Sequence, residues 1–186
     1  MIIESKMEKI GIVGFGVMGK VIANNLHKSG FGVLVYDISD DAIILAQKLG
    51  YTTYSSPKEI ALNAKIIVLS LPNPKIVSDV VYSDKFSLLS AASKGSIIID
   101  TSTVDAETTI TNAKEAYAFG ISYLDSPILG RPSAVGNWTL PIGGDIESIE
   151  SVRHVLETFA SNIISVGALG TGNTIKLLNN LMFGAI

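Results

Sequence analysis

Short apolar runs recur along the chain, separated by stretches whose apolar residues fall at helical spacing. The runs at 10–13, 33–36, 66–71, 97–100, 123–125 and 163–166 predict strands. A weaker one lies at 52–54, and 139–142 reads as an added strand after a long loop. Helices are predicted over 18–29, 41–49, 57–62, 75–81, 106–119 and 146–160. Ser56-Pro57-Lys58-Glu59 makes a good helix start, with a serine cap, proline in the first turn and glutamate three residues after the serine. Gly30 and Gly50 stand where helices end. Strands that alternate with helices, and are apolar throughout, predict an α/β protein with a mainly parallel sheet covered on both faces. There is no repeat of solenoid period and no low-complexity segment.

The tail has a different pattern. Gly170-Thr171-Gly172-Asn173 reads as a loop and cap, and 174–186 as one helix. Ile175, Leu177, Leu178, Leu181, Met182, Phe183 and Ile186 cover more than a narrow stripe of it. A helix this apolar expects burial. The expectation is therefore a fragment of a longer protein, or a last helix covered by another subunit. The predicted organisation is one domain over 1–172, followed by the start of a further helix over 173–186.

Composition narrows the function classes. The chain has 186 residues, of which 47% are hydrophobic and 17% charged, the latter below the usual quarter. Net charge is −3 and the pI about 5.3, which argues against nucleic acid as a partner. Without cysteine there is no disulfide framework or thiolate metal site. Residues 1–9 are too charged for a signal peptide, and no run approaches the ~18 apolar residues of a membrane span. A cytoplasmic protein without membrane contact is the expectation.

The candidate chemistry begins at the first strand, which runs into Gly14, Phe15, Gly16, Val17, Met18 and Gly19 and then a helix. In strand–G-x-G-x-x-G–helix, the first glycine makes a tight turn and the second admits a pyrophosphate. The third lets helix and strand pack, and the helix N-terminus faces the anion. Asp37 ends the next strand, about 20 residues on, where a carboxylate can accept hydrogen bonds from the adenosine ribose. It would repel a 2′-phosphate, and Ile38-Ser39 offer no cation. The cofactor implied is NAD, with NADP less favoured. Gly14 to Lys20 also spells the phosphate loop G-x-x-x-x-G-K, but Val21 stands where that loop needs a metal-binding hydroxyl.

Leu71-Pro72-Asn73-Pro74 and Asp100-Thr101-Ser102-Thr103 follow two strands, so both face the crevice outside the carboxyl ends of the sheet. On the last helix Lys176 and Asn180 are four apart and share a face, with Asn179 adjacent. Burial would lower the pKa of such a lysine toward neutrality. His27 and His154 lie in predicted helices away from strand ends and read as surface or cap residues. The acidic residues form no metal-ligand cluster.

The ordered motifs resemble the β-hydroxyacid dehydrogenase family, which includes 3-hydroxyisobutyrate dehydrogenase and is related to 6-phosphogluconate dehydrogenase. They are the glycine loop, Leu71-Pro72, Asp100-Thr101-Ser102-Thr103, Asp125-Ser126-Pro127 through Gly143-Gly144, and Gly172-Asn173-Thr174-Ile175-Lys176-Leu177-Leu178-Asn179-Asn180. The resemblance implies a Rossmann-type, doubly wound fold. It implies that Lys176 is the catalytic acid/base and that Asn180 orients lysine and substrate. By the same resemblance the Gly130 N–H helps bind a substrate carboxylate, and Leu71, Pro72 and Thr103 lie beside the cofactor. A second, helical domain would follow a long interdomain helix and form much of a dimer, and this chain would end within that helix.

Three departures stand out. Leu129 replaces a serine of the family's substrate loop and Arg131 a glycine, and Ala106 stands where proline is common. A guanidinium can hold a carboxylate or phosphate bidentately, which keeps an acidic substrate in play. Trp138 adds a large surface to the loop, as a packing anchor or a pocket wall. The expected activity is hydride transfer between nicotinamide and a small β-hydroxyacid or related aldehyde, in a homo-oligomer. The alternatives are an NADPH-dependent aldehyde reductase of the same family and a nucleotide-binding module without catalysis.

Overall fold

The computed structural model describes residues 7–83 and 85–184; the first six residues of the charged start and the last two of the predicted tail helix lie outside them. Eight strands form one sheet in the order β3-β2-β1-β4-β5-β6-β7-β8. They are β1 (Lys9–Val13), β2 (Gly32–Tyr36), β3 (Thr52–Thr53), β4 (Ile66–Leu69), β5 (Ile97–Asp100), β6 (Ser122–Asp125), β7 (Trp138–Gly143) and β8 (Ala160–Gly167). Every pairing is parallel except that of β6 with β7. The order reverses between β1 and β4, and a crevice opens beyond the strand ends at such a switch point.

Alternate residues of each central strand feed two apolar cores. Ile66 and Val68 face one layer, with Ile10, Ile12, Leu26 and Phe159, while Ile67 and Leu69 face the other, with Ile60, Val77 and Ile98. This two-sided burial is why the strands read as unbroken apolar runs. The covering helices are α1 (Val17–Lys28), α2 (Asp40–Lys48), α3 (Pro57–Asn63), α4 (Pro74–Ser78), α5 (Ala106–Ala118), α6 (Ile146–Ser151), α7 (Arg153–Leu156) and α8 (Thr171–Gly184). The expected start of α3 holds: the Glu59 N–H donates to the Ser56 hydroxyl, and the Ser55 N–H to the Glu59 carboxylate. His27 and His154 are exposed, as expected. No helix among the described residues is long and apolar enough to cross a membrane.

Several boundaries differ from expectation. The predicted helix over 146–160 breaks at Val152 into α6 and α7, and β8 already begins at Ala160. Asn73 caps α4 through the Ile76 N–H, and α4 then widens into a π-helical turn at Asp79–Ser83. The tail helix starts at Thr171 rather than 174, for a reason that lies in the site below.

Candidate functional site

An open crevice of about 1340 Å³ lies beyond the carboxyl ends of the strands. Its lining includes Gly14, Gly16, Val17 and Met18 from the first loop, Asp37 after β2, Leu71 and Pro72 after β4, and Thr103 after β5. Gly130, Ile128 and Lys176 line the same space. The fold thus gathers into one cleft most of the residues singled out in the sequence, from segments up to 162 residues apart (14 to 176).

The three glycines behave differently, as their proposed roles require. A Cβ on Gly14, whose φ is +95°, would overlap the Ser70 carbonyl, and one on Gly19 would overlap the Gly14 carbonyl. Those two positions are closed by neighbouring backbone. Gly16 has open space where a Cβ would sit, and as N-cap of α1 it offers no side chain to the first-turn N–H groups. Helix N–H groups left uncapped beside open space form an anion cradle. Phe15 is buried and packs edge-on against Tyr51, so its contribution to the loop is its backbone.

Asp37 is already tied to that loop. One carboxylate oxygen accepts the Phe15 N–H at 2.6 Å and the other the Ser39 N–H at 2.8 Å. Each oxygen retains a lone pair for a further donor, so a diol can still be bound. These residues fit a dinucleotide: a closed turn, an open cradle with unpaired N–H groups, and a carboxylate at the neighbouring strand end.

Lys176 is brought to the crevice by the start of α8. Asp125 ends β6 and is buried; its two oxygens accept the Gly170 and Asn173 N–H groups, each at 2.9 Å. Burial raises the Asp125 pKa against the opposing pull of these donors. Asn173, also buried, accepts the Val104 N–H at 3.2 Å and donates to the Thr109 hydroxyl at 3.2 Å. The helix therefore begins at Thr171 because a carboxylate 45 residues away caps it. One turn on, Lys176 Nζ donates to the Ile128 carbonyl at 2.8 Å, and partial burial lowers its pKa below the ordinary lysine value. The sequence read Asn173 as part of a loop and cap and gave Asp125 no role of its own, and it joined neither to the other. The available signal was their place in two of the ordered motifs.

Removal of the Asn173 amide leaves the buried Val104 N–H without its acceptor and takes from the Thr109 hydroxyl its donor, leaving it the Asp105 carbonyl. Asn173→Ala is expected to cost about 2–3 kcal/mol in urea-unfolding free energy. A cost below about 0.5 kcal/mol would mean that α8 is not anchored this way.

Other predicted residues stand outside the lining. Asn180 is exposed on the next turn of α8. Arg131 is exposed, and Leu129 is half-buried with its backbone paired to Thr139. From the substrate loop the crevice thus receives Gly130 and Ile128. A buried acid that the sequence reading left without a role adjoins the lining residues Thr101 and Ser102. Asp100, at the end of β5, accepts the Ser102 N–H at 2.9 Å and the Tyr123 hydroxyl at 2.7 Å. Burial pushes its carboxyl up to about 6. The Ser102 hydroxyl in turn accepts the Leu71 N–H at 2.9 Å, which ties the two strand-end loops together.

Comparison with known proteins agrees with this geometry. The family described as "NAD binding domain of 6-phosphogluconate dehydrogenase" matches residues 9–167. Mouse mitochondrial 3-hydroxyisobutyrate dehydrogenase is 34% identical over 175 residues, 93% of this chain and 52% of its own length. The 2-(hydroxymethyl)glutarate dehydrogenase of Eubacterium barkeri is 34% identical over 181 residues, 96% of this chain and 60% of its own. The chain thus spans between half and two thirds of these relatives. A Mycobacterium tuberculosis 3-hydroxyisobutyrate dehydrogenase structure with L-serine superposes with a TM-score of 0.88 at 28% identity, covering 95% of this chain and 60% of the other. The motif-based resemblance and the Rossmann-type fold are borne out. An NAD-binding cleft, a matched family over 159 residues (9 to 167) and a shared fold lead to one assignment: the chain belongs to the family of the NAD binding domain of 6-phosphogluconate dehydrogenase.

Proposed function

We propose that this chain is the cofactor-binding part of an oxidoreductase that moves hydride between nicotinamide and a small β-hydroxyacid or related aldehyde, with NAD preferred over NADP. The observation that carries this is the shared crevice: a lysine amine with a lowered pKa opens onto the same space as an uncapped glycine-rich turn. The dehydrogenase names of the relatives support it.

Bound cofactor would supply the hydride acceptor or donor. The residues of this chain do the rest. The N–H groups at the start of α1 hold the diphosphate, and Asp37 takes the adenosine ribose hydroxyls. Leu71, Pro72 and Thr103 supply walls. The Gly130 N–H is assigned to the substrate carboxylate. In oxidation the neutral Lys176 amine takes the hydroxyl proton; in reduction its ammonium returns that proton to the carbonyl oxygen. Partial desolvation makes the neutral form accessible nearer to neutral pH than in a free lysine. Asn180 and Arg131 would reach a substrate only through a change in their surroundings, and the exposed Leu181, Met182 and Phe183 are assigned to a following helical domain or a second subunit.

The test is a panel of short β-hydroxyacids and aldehydes assayed with NAD and NADP side by side, together with Asp37→Ala. Loss of a hydrogen bond to a charged acceptor is expected to weaken NAD binding about 10- to 100-fold. NADP binding should fall far less, because the same change removes repulsion of the 2′-phosphate. Equal losses for both cofactors would refute the ribose contact, and turnover of other substrates while the β-hydroxyacids and aldehydes stay inert would refute the substrate class.

A further inference from the structure

Trp138, the single tryptophan of the chain, has no part in the chemistry assigned above. It opens β7, is fully buried, and packs edge-on against Phe159 with ring centroids 6.2 Å apart. Its indole N–H donates to the Arg131 carbonyl at 2.8 Å. The ring lies directly behind Gly130, where any Cβ would overlap it. The next residue, Thr139, exchanges both backbone hydrogen bonds with Leu129, at 2.9 and 3.2 Å. Residues 129–131 are therefore each fixed from the β7 side. The opposite side of the same strip faces the crevice, where Gly130 lines the wall and the Ile128 carbonyl accepts the Lys176 amine.

We infer that Trp138 is a positioning residue for Lys176: by clamping the strip 128–131 from behind, it fixes the Ile128 carbonyl that aims the amine into the crevice. This rests on the acid/base role proposed for Lys176. The geometry has little tolerance. A hydrogen bond of 2.8 Å is lost after a displacement of about 0.7 Å or more, and the indole clamp and the Thr139 pairing both resist such a displacement of the strip. Glycine at 130 lets the indole come close enough to support the strip, and the indole N–H gives the Arg131 carbonyl a second donor besides the Ala134 N–H.

The test reads the Lys176 ionisation directly, by trace acetylation across a pH series with mass-spectrometric quantification at that residue. Trp138→Phe keeps most of the ring and removes the donor. The expected result is a fall of about half a pH unit or more in the Lys176 labelling midpoint, because the ammonium loses its carbonyl acceptor. Phe159→Leu disturbs the same apolar layer and is expected to lower Tm while the midpoint stays put. An unchanged midpoint in Trp138→Phe, or equal shifts in both variants, would overturn the inference. An ordinary lysine midpoint in the unsubstituted protein would instead count against the role of Lys176 itself. If Trp138→Phe does not fold, the unsubstituted protein answers through its sole indole N–H resonance. That resonance should move with the Lys176 titration and stop moving in Lys176→Met; a flat resonance across that range overturns the inference.

Discussion

Lys176→Ala is expected to lower kcat by about 10²–10⁴ while NADH still binds with unchanged affinity. The split follows from the placement of the side chain. The cradle at Gly16 and the carboxylate of Asp37 lie on other elements, and neither has a hydrogen bond to Lys176. Lys176→Arg should fare little better, since a guanidinium keeps the charge but does not release its proton in the working range. The pH dependence has a fixed sign. In the role proposed for Lys176, oxidation needs the neutral amine, so its rate should rise with pH through the Lys176 pKa. Reduction needs the ammonium, so its rate should fall through the same value. Burial lowers that pKa, so both limbs should lie below the usual lysine range. Full turnover in Lys176→Ala would remove the residue from the reaction.

The second large effect concerns stability. Asp100 is fully buried, and its carboxyl is pushed from 3.8 to about 6, chiefly by desolvation, with Asp125 adding to the push. Between those pH values the folded protein holds a proton that the unfolded chain has released. The contribution of Asp100 is therefore complete below about pH 4 and is lost as pH rises through about 6. A shift of about two units at 1.36 kcal/mol per unit makes the loss roughly 3 kcal/mol by pH 7. In Asp100→Asn the amide oxygen can still accept the Ser102 N–H, and the Tyr123 hydroxyl can turn to accept from the amide nitrogen. Relative to the unsubstituted protein, the variant should gain roughly 3 kcal/mol in urea-unfolding free energy between pH 4 and 7. Parallel profiles would show that Asp100 does not titrate in this window.

The sheet was legible because parallel strands covered on both faces leave near-continuous apolar runs. Ile66–Leu69 is buried at every residue, and the three residues of β5 before its terminal aspartate are all isoleucine. The glycine loop was legible because each of its roles is steric and local. Elements set by distant partners were not. The α8 helix begins at Thr171 because Asp125 and Asn173 tie it to β6 and α5, and no local pattern carries that information. The break at Val152 is likewise tertiary: Val152, Val155 and Leu156 all turn into the core on a short path to β8. The substrate loop was read as a row of candidate ligands, yet only Gly130 of Leu129, Gly130 and Arg131 lines the crevice. The pairing of Leu129 with Thr139 and the indole behind Gly130 decide which atoms point inward, and both depend on β7 folding back antiparallel to β6.

The most direct measurement is a crystal structure of the chain with NAD bound. The account predicts the diphosphate on the N–H groups that open α1, the adenosine ribose on Asp37, and the nicotinamide ring facing Lys176 with room between them for one small molecule. A nicotinamide ring turned away from Lys176, or a diphosphate bound anywhere but at Gly16, would contradict it.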